Sequence, residues 1–85
     1  MIEFSYVITE EVGLHVKPAG VLAKEAEKFK SKITISKEGK EVNGKKLFGI
    51  VGLGIQKGHS ITIKVDGEDE EMAANMLEDL FKEYL

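Results

Sequence analysis

Ile61-Thr62-Ile63-Lys64-Val65-Asp66-Gly67-Glu68-Asp69-Glu70-Glu71-Met72-Ala73 passes from one hydrophobic period to another across a single Asp-Gly turn. Ile61, Ile63 and Val65 alternate with Thr62 and Lys64, the two-residue repeat of a half-buried strand. Beyond Gly67 the repeat lengthens. Met72, Ala73, Met76, Leu77, Leu80, Phe81 and Tyr84 form one helical stripe, and Glu68-Asp69-Glu70-Glu71 set acids where the positive end of the helix dipole favours them. A helix with one apolar face needs a sheet to cover, so the stretch predicts an α+β fold with the whole stripe in the core.

The segments N-terminal to it supply the rest of that sheet. Ile2, Phe4, Tyr6 and Ile8 alternate with Glu3, Ser5 and Val7, predicting a strand that ends near Thr9, followed by a loop over Glu10-Glu11-Val12-Gly13. Ala19, Leu22, Ala23, Ala26 and Phe29 share one face of a helix over residues 16–29. Ile33 and Ile35, the Glu38-Gly39 turn and Lys40-Glu41-Val42 read as a hairpin, and Leu47, Ile50 and Val51 as a short helix ending at Gly52 or Gly54. The order is β-α-β-β-α-β-α, with helices covering one face of a largely antiparallel sheet and the other face left to solvent.

Composition narrows the class. Eighty-five residues hold one core, so residues 1–85 are expected to be a single domain. There is no cysteine, which excludes disulfides, thiolate metal sites and cysteine nucleophiles, and the two histidines are far apart, so no metal site is expected. No apolar run suits a membrane span and the N-terminus is unlike a signal peptide, which makes cytoplasm the expected compartment. The net charge of −3 conceals a polarity: residues 66–85 carry eight acids against one lysine, while residues 1–65 carry eleven lysines against seven acids. The basic part suits an acidic or phosphorylated partner, and the acidic tail argues against nucleic-acid binding.

Gly13-Leu14-His15-Val16-Lys17-Pro18-Ala19-Gly20 concentrates chemistry within that basic part. Proline lacks an N–H and is pre-set for helical φ, so it marks a first helical turn, whose amides have no internal partners. The amides of Val16 and Lys17 would then face an anion carried by His15, with Lys17 adding positive charge. Imidazole is the side chain whose ordinary titration lies nearest neutrality, so its nucleophilic form is available there. Phosphate is the anion these groups suit. A second unusual stretch, Asn43-Gly44-Lys45-Lys46-Leu47-Phe48-Gly49-Ile50-Val51-Gly52-Leu53-Gly54, carries more large apolar residues than a short helix can bury. Leu47 and Phe48 point about 100° apart, which favours at least one facing outward, where it would resemble a docking surface, over both folding into the core. His59, in Lys57-Gly58-His59-Ser60, has no helix start beside it and reads as a solvated turn residue.

The chain resembles the histidine-containing phosphocarrier (HPr) family of the bacterial sugar phosphotransferase system along essentially its whole length. The resemblance rests on Gly13-Leu14-His15, Pro18-Ala19, Gly39-Lys40, Asn43-Gly44-Lys45, Gly49, Leu53-Gly54 and Asp66-Gly67-Glu68-Asp69-Glu70, in that order and spacing. It implies an open-faced β-sandwich, four antiparallel strands with three helices on one face. It also implies that enzyme I, phosphorylated by phosphoenolpyruvate, passes a phosphoryl group to Nδ1 of His15, which hands it to IIA units of sugar transporters without a cofactor. Docking residues implied by the family are Val16, Gly20, Lys24, Leu47, Phe48, Val51, Gly52 and Gln56. A cytoplasmic, monomeric carrier that completes its chemistry only with partners is expected, rather than a stand-alone enzyme.

Two positions depart from the family pattern. Lys17 stands where arginine is usual, which keeps the charge but replaces a two-pronged phosphate ligand by a mobile point charge. Lys46 stands where many members carry a serine phosphorylated by a regulatory kinase, so that form of control is not expected. These departures leave two alternatives to sugar phosphotransfer: a regulatory or nitrogen-branch paralogue, and an interaction module that keeps the fold without transfer.

Overall fold

The computed structural model describes residues 1–85. Its elements are β1 (Ile2–Val7), α1 (Val16–Ala26), β2 (Lys32–Lys37), β3 (Lys40–Asn43), α2 (Leu47–Gly52), β4 (Ser60–Asp66) and α3 (Glu70–Tyr84). The strands form one antiparallel sheet in the order β1-β4-β2-β3, so the strand of the opening stretch is central and pairs on both sides. That position explains its pattern. Ile61, Ile63 and Val65 are fully buried, and their partners in register include Phe4 and Ile35 opposite Ile63, and Ile33 opposite Val65.

Alternate residues make the opposite face. Lys64 lies between Glu3 and Thr34, and Thr62 between Ser5 and Ser36, a polar surface on which the Lys64 ammonium meets Glu41 at 3.2 Å. The helices occupy the other side. Phe81 of α3 is fully buried, edge-on to Phe4 at 6.2 Å and stacked on Tyr6 at 5.5 Å. A two-layer architecture, helices on one sheet face and the other bare, is therefore what the two hydrophobic periods produce.

Three boundaries differ from the sequence reading. α1 stops at Ala26 instead of 29, because Lys28 and Phe29 donate to Glu25 and Ala26 in tighter three-residue turns. Phe29 still reaches the core from that turn, which is why it continues the helical spacing. β1 stops at Val7 instead of Thr9, although Ile8 keeps the in-out alternation and donates to the His59 carbonyl. In α3 the buried set is Ala73, Ala74, Leu77 and Phe81, whereas Met72, Met76 and Tyr84 are exposed. Met72 and Met76 each sit about 100° from a buried neighbour, beyond the arc of helix that the sheet and α1 cover. Tyr84 lies in the last turn.

Local chemistry fixes the connections. The β2–β3 hairpin turns on Glu38 and Gly39, both with positive φ, the twist-matched geometry for a two-residue hairpin loop. The turn before α3 is held from a distance: Asp69 accepts the amides of Lys30 and Ser31, each at 2.9 Å, and the Ser31 hydroxyl. A Cβ at Gly67 would stand 2.6 Å from Ser31, so glycine permits this approach. No helix is long and apolar enough to cross a membrane.

Candidate functional site

His15 is the N-cap of α1, in extended backbone conformation, and its imidazole is exposed without a hydrogen bond to the chain. Its carbonyl accepts the Ala19 amide, which starts the helix where Lys17 and Pro18 predict it. The Val16 and Lys17 amides find no acceptor within the chain, Pro18 has none to offer, and the first turn contains no acid. Three conditions for holding an anion therefore coincide directly after the imidazole: free amides, the positive helix end and an exposed lysine.

The loop that presents His15 is tightly held. Leu14 is buried and its amide donates to the Ile55 carbonyl at 3.0 Å. Gly13 has φ +80°, and a Cβ there would lie 2.6 Å from that carbonyl and 2.8 Å from the Gln56 Cα. Glycine is required twice at this point, for the left-handed conformation and for the close approach of two backbones. An exposed imidazole thus stands at the end of an anchored backbone.

α1 packs against α2, which brings the predicted docking residues into one neighbourhood. Val16 is 59% exposed and Phe48 84% exposed, while Leu47 and Val51 are half-buried against the core. The adjacent pair Leu47 and Phe48 is therefore split, one inward and one outward. Lys24, Gly52 and Gln56 are exposed, Gly20 is half-buried with open space where a Cβ would stand, and Gln56 joins the group through the Leu14–Ile55 contact. Neither Lys17 nor Lys24 is engaged in an ion pair. Lys46 is the exposed N-cap of α2, and Lys45 turns away to donate to the Phe29 carbonyl at 2.7 Å.

His59 lies at the turn that the sequence suggests, but it is not fully solvated. It is half-buried, and its Nδ1 accepts the Gln56 amide at 2.9 Å. No spacing rule signals this bond, because it depends on how the 56–59 turn closes. None of the molecule's clefts includes His15; one lies between β1 and α3 and is lined by Ile2, Phe4, Glu71, Ala74, Asn75 and Glu78. An exposed imidazole on an open surface, outside any concavity, suits a macromolecular partner better than a small substrate.

The chain is similar to known proteins over most of its length. Residues 2–83 match the family described as "PTS HPr component phosphorylation site". A phosphocarrier protein HPr from Mycoplasma capricolum is 48% identical over 73 residues, 86% of this chain and 82% of that protein. Among solved structures, the histidine-containing phosphocarrier protein of a Mycoplasma superposes with a TM-score of 0.94 at 41% identity, covering 96% of this chain and 93% of the other. An HPr dimer from Thermoanaerobacter tengcongensis superposes at 0.78 with 37% identity, covering 98% and 95%. That dimer removes any ground for inferring a monomer here from likeness alone.

Proposed function

This chain belongs to the HPr family, the phosphocarriers of the phosphotransferase system, and from that membership we propose that His15 accepts a phosphoryl group from phosphorylated enzyme I and passes it to IIA units of sugar transporters. The reaction takes place in the cytoplasm. With the imidazole proton on Nε2, the Nδ1 lone pair attacks phosphorus and a new N–P bond forms. The bond to the donor breaks, the donor keeps that electron pair, and the Nε2 proton stays in place.

The observation that supports this reading is the combination at the start of α1: an exposed imidazole followed by two unpartnered amides in a turn free of acids. Phosphoryl transfer relies on positioning and on stabilising charge spread over the moving group's oxygens. The Val16 and Lys17 amides and the Lys17 ammonium supply fixed and mobile positive charge for those oxygens. Val16, Gly20, Lys24, Leu47, Phe48, Val51, Gly52 and Gln56 form the face on which enzyme I and IIA dock in turn. Phe48 is its apolar anchor, and lysines at the rim steer acidic partners while leaving the complexes short-lived.

The test is incubation with phosphoenolpyruvate and enzyme I, followed by detection of acid-labile phosphate. His15→Ala is expected to abolish labelling completely. Label that survives this substitution overturns the assignment.

A further inference from the structure

The Gln56–His59 turn is closed from both ends by one pair of residues. The His59 amide donates to the Gln56 carbonyl at 3.0 Å, and the Gln56 amide donates to the His59 ring at Nδ1 at 2.9 Å. Gly58, with φ +90°, lets the chain double back between them. An Nδ1 that accepts must be unprotonated, so the ring carries its hydrogen on Nε2. His59 is also tied on its other side, where its carbonyl accepts the Ile8 amide at 3.0 Å.

The segment held by this turn is the one that carries the His15 loop. Ile55 and Gln56 present the backbone against which Gly13 packs, and the Ile55 carbonyl accepts the Leu14 amide. The path from the His59 ring to the nucleophile therefore runs through one hydrogen bond to Gln56, one backbone step to Ile55 and one hydrogen bond to Leu14. His15 follows directly. Every link is backbone except the first, so the His59 ring is the only one of these groups that substitution removes without altering the main chain.

We propose that His59 is a positioning residue for the phosphoryl-accepting site, its Nδ1 fixing the 55–56 backbone that anchors Gly13-Leu14 and so the start of α1. The proposal rests on the reading of His15 as the acceptor. Gln56 is exposed, so water replaces the lost bond when the ring is removed, and the effect falls on order at the His15 loop more than on global stability.

Three variants test it. Asparagine places a carbonyl oxygen close to the position of a histidine Nδ1, whereas glutamine places its oxygen one methylene farther out. Hydrogen exchange of the Leu14 amide, transfer from phosphorylated enzyme I and the ¹⁵N shifts of the His59 ring are measured on the full chain. His59→Ala and His59→Gln are expected to speed Leu14 exchange about fivefold, the worth of one net hydrogen bond, and to slow transfer several-fold. His59→Asn should restore both, and the wild-type ring should show an unprotonated Nδ1. Leu14 exchange that is unchanged in His59→Ala, or a His59→Asn variant that behaves like His59→Gln, overturns the proposal. If His59→Ala does not fold, the Asn and Gln pair decides alone. A wild-type protein that accepts no phosphoryl group defeats the reading of His15, while the exchange measurement still decides whether His59 holds the loop.

Discussion

The N-termini of α1 and α3 are built from the same backbone feature and set in opposite charge surroundings. Each begins with unsatisfied amides and the positive end of a dipole. At α3 the chain fills that end with its own charge: Glu70 and Glu71 occupy the first turn, Glu70 accepts the Gly67 amide at 3.2 Å, and the Asp69 carboxylate ties down residues 30 and 31. At α1 the first turn has no acid, His15 makes no capping bond, and the charge in that turn is Lys17. Neither N-cap side chain bonds a helix amide, but acids stand in the first turn of α3 and none in that of α1. On the function proposed above, the α1 end receives an anion from outside, and leaving it without acids forgoes the dipole stabilisation that α3 collects.

The strongest way to break this contrast is to make α1 resemble α3. Lys17→Glu puts a carboxylate in the first turn, where the dipole favours it by about 0.3–1 kcal/mol. It also removes the Lys17 cation and sets a negative charge against the incoming phosphoryl group. Transfer to His15 is expected to fall about a hundredfold, the scale of losing an essential transition-state charge contact, while the melting temperature holds or rises. Enzyme I-dependent labelling and thermal denaturation measure the two effects separately. A variant that transfers at the native rate would show that the phosphoryl group does not meet this end of the helix.

The complementary change leaves α1 alone and opens α3. Ser31→Ala removes a hydroxyl that donates to Asp69 from a fully buried position, and should lower stability by about 1 kcal/mol with transfer unchanged. The same junction responds to acid. The Ser31 hydroxyl first, and then the Lys30 amide, hold the Asp69 carboxyl below its ordinary 3.8. A carboxyl that ionises more readily in the folded chain contributes stability that is present above its unfolded value. That stability disappears as pH falls through the lower folded value. Unfolding midpoints should therefore begin to drop beneath about pH 3.8, and Asp69→Asn should flatten this acid limb; an unaltered limb would assign it to other carboxyls, with Glu70 the first to examine.

The two helix ends were also unequally legible in the sequence. The start of α1 could be read because its signals are local: Pro18 fixes a first turn, and His15 and Lys17 stand beside it. The acids before α3 were equally visible, but their partners were not, since Ser31 lies 38 residues from Asp69 and no periodicity links them. The same distinction applies elsewhere. The alternation of Ile61, Ile63 and Val65 reports a strand wherever that strand pairs, whereas the exposure of Met72 and Met76 depends on how far neighbouring elements wrap α3. Gly13 was recognisable as part of a motif, but its steric necessity comes from Ile55 and Gln56, and the bond from Gln56 to His59 exists only once the turn has closed. Local periodicity reports what each segment is; contacts between distant segments decide what holds the site in place.

The smallest expected effect concerns the kind of positive charge at α1. Lys17→Arg keeps the charge and, at an exposed position, should leave stability within about 0.5 kcal/mol. Arginine adds a planar pair of donors that can hold two phosphate oxygens in a fixed orientation, whereas the lysine ammonium must be positioned anew at each encounter. Orientation is what the transition state needs, so transfer rates should rise by a few-fold, about the worth of one additional oriented hydrogen bond. The measurement is single-turnover transfer from phosphorylated enzyme I and onward to IIA. A faster variant would show that the fixed amides of Val16 and Lys17 leave part of the phosphoryl charge unoriented. Equal rates would show the reverse: the open helix end already supplies the orientation, and the side chain at position 17 needs only to be positive.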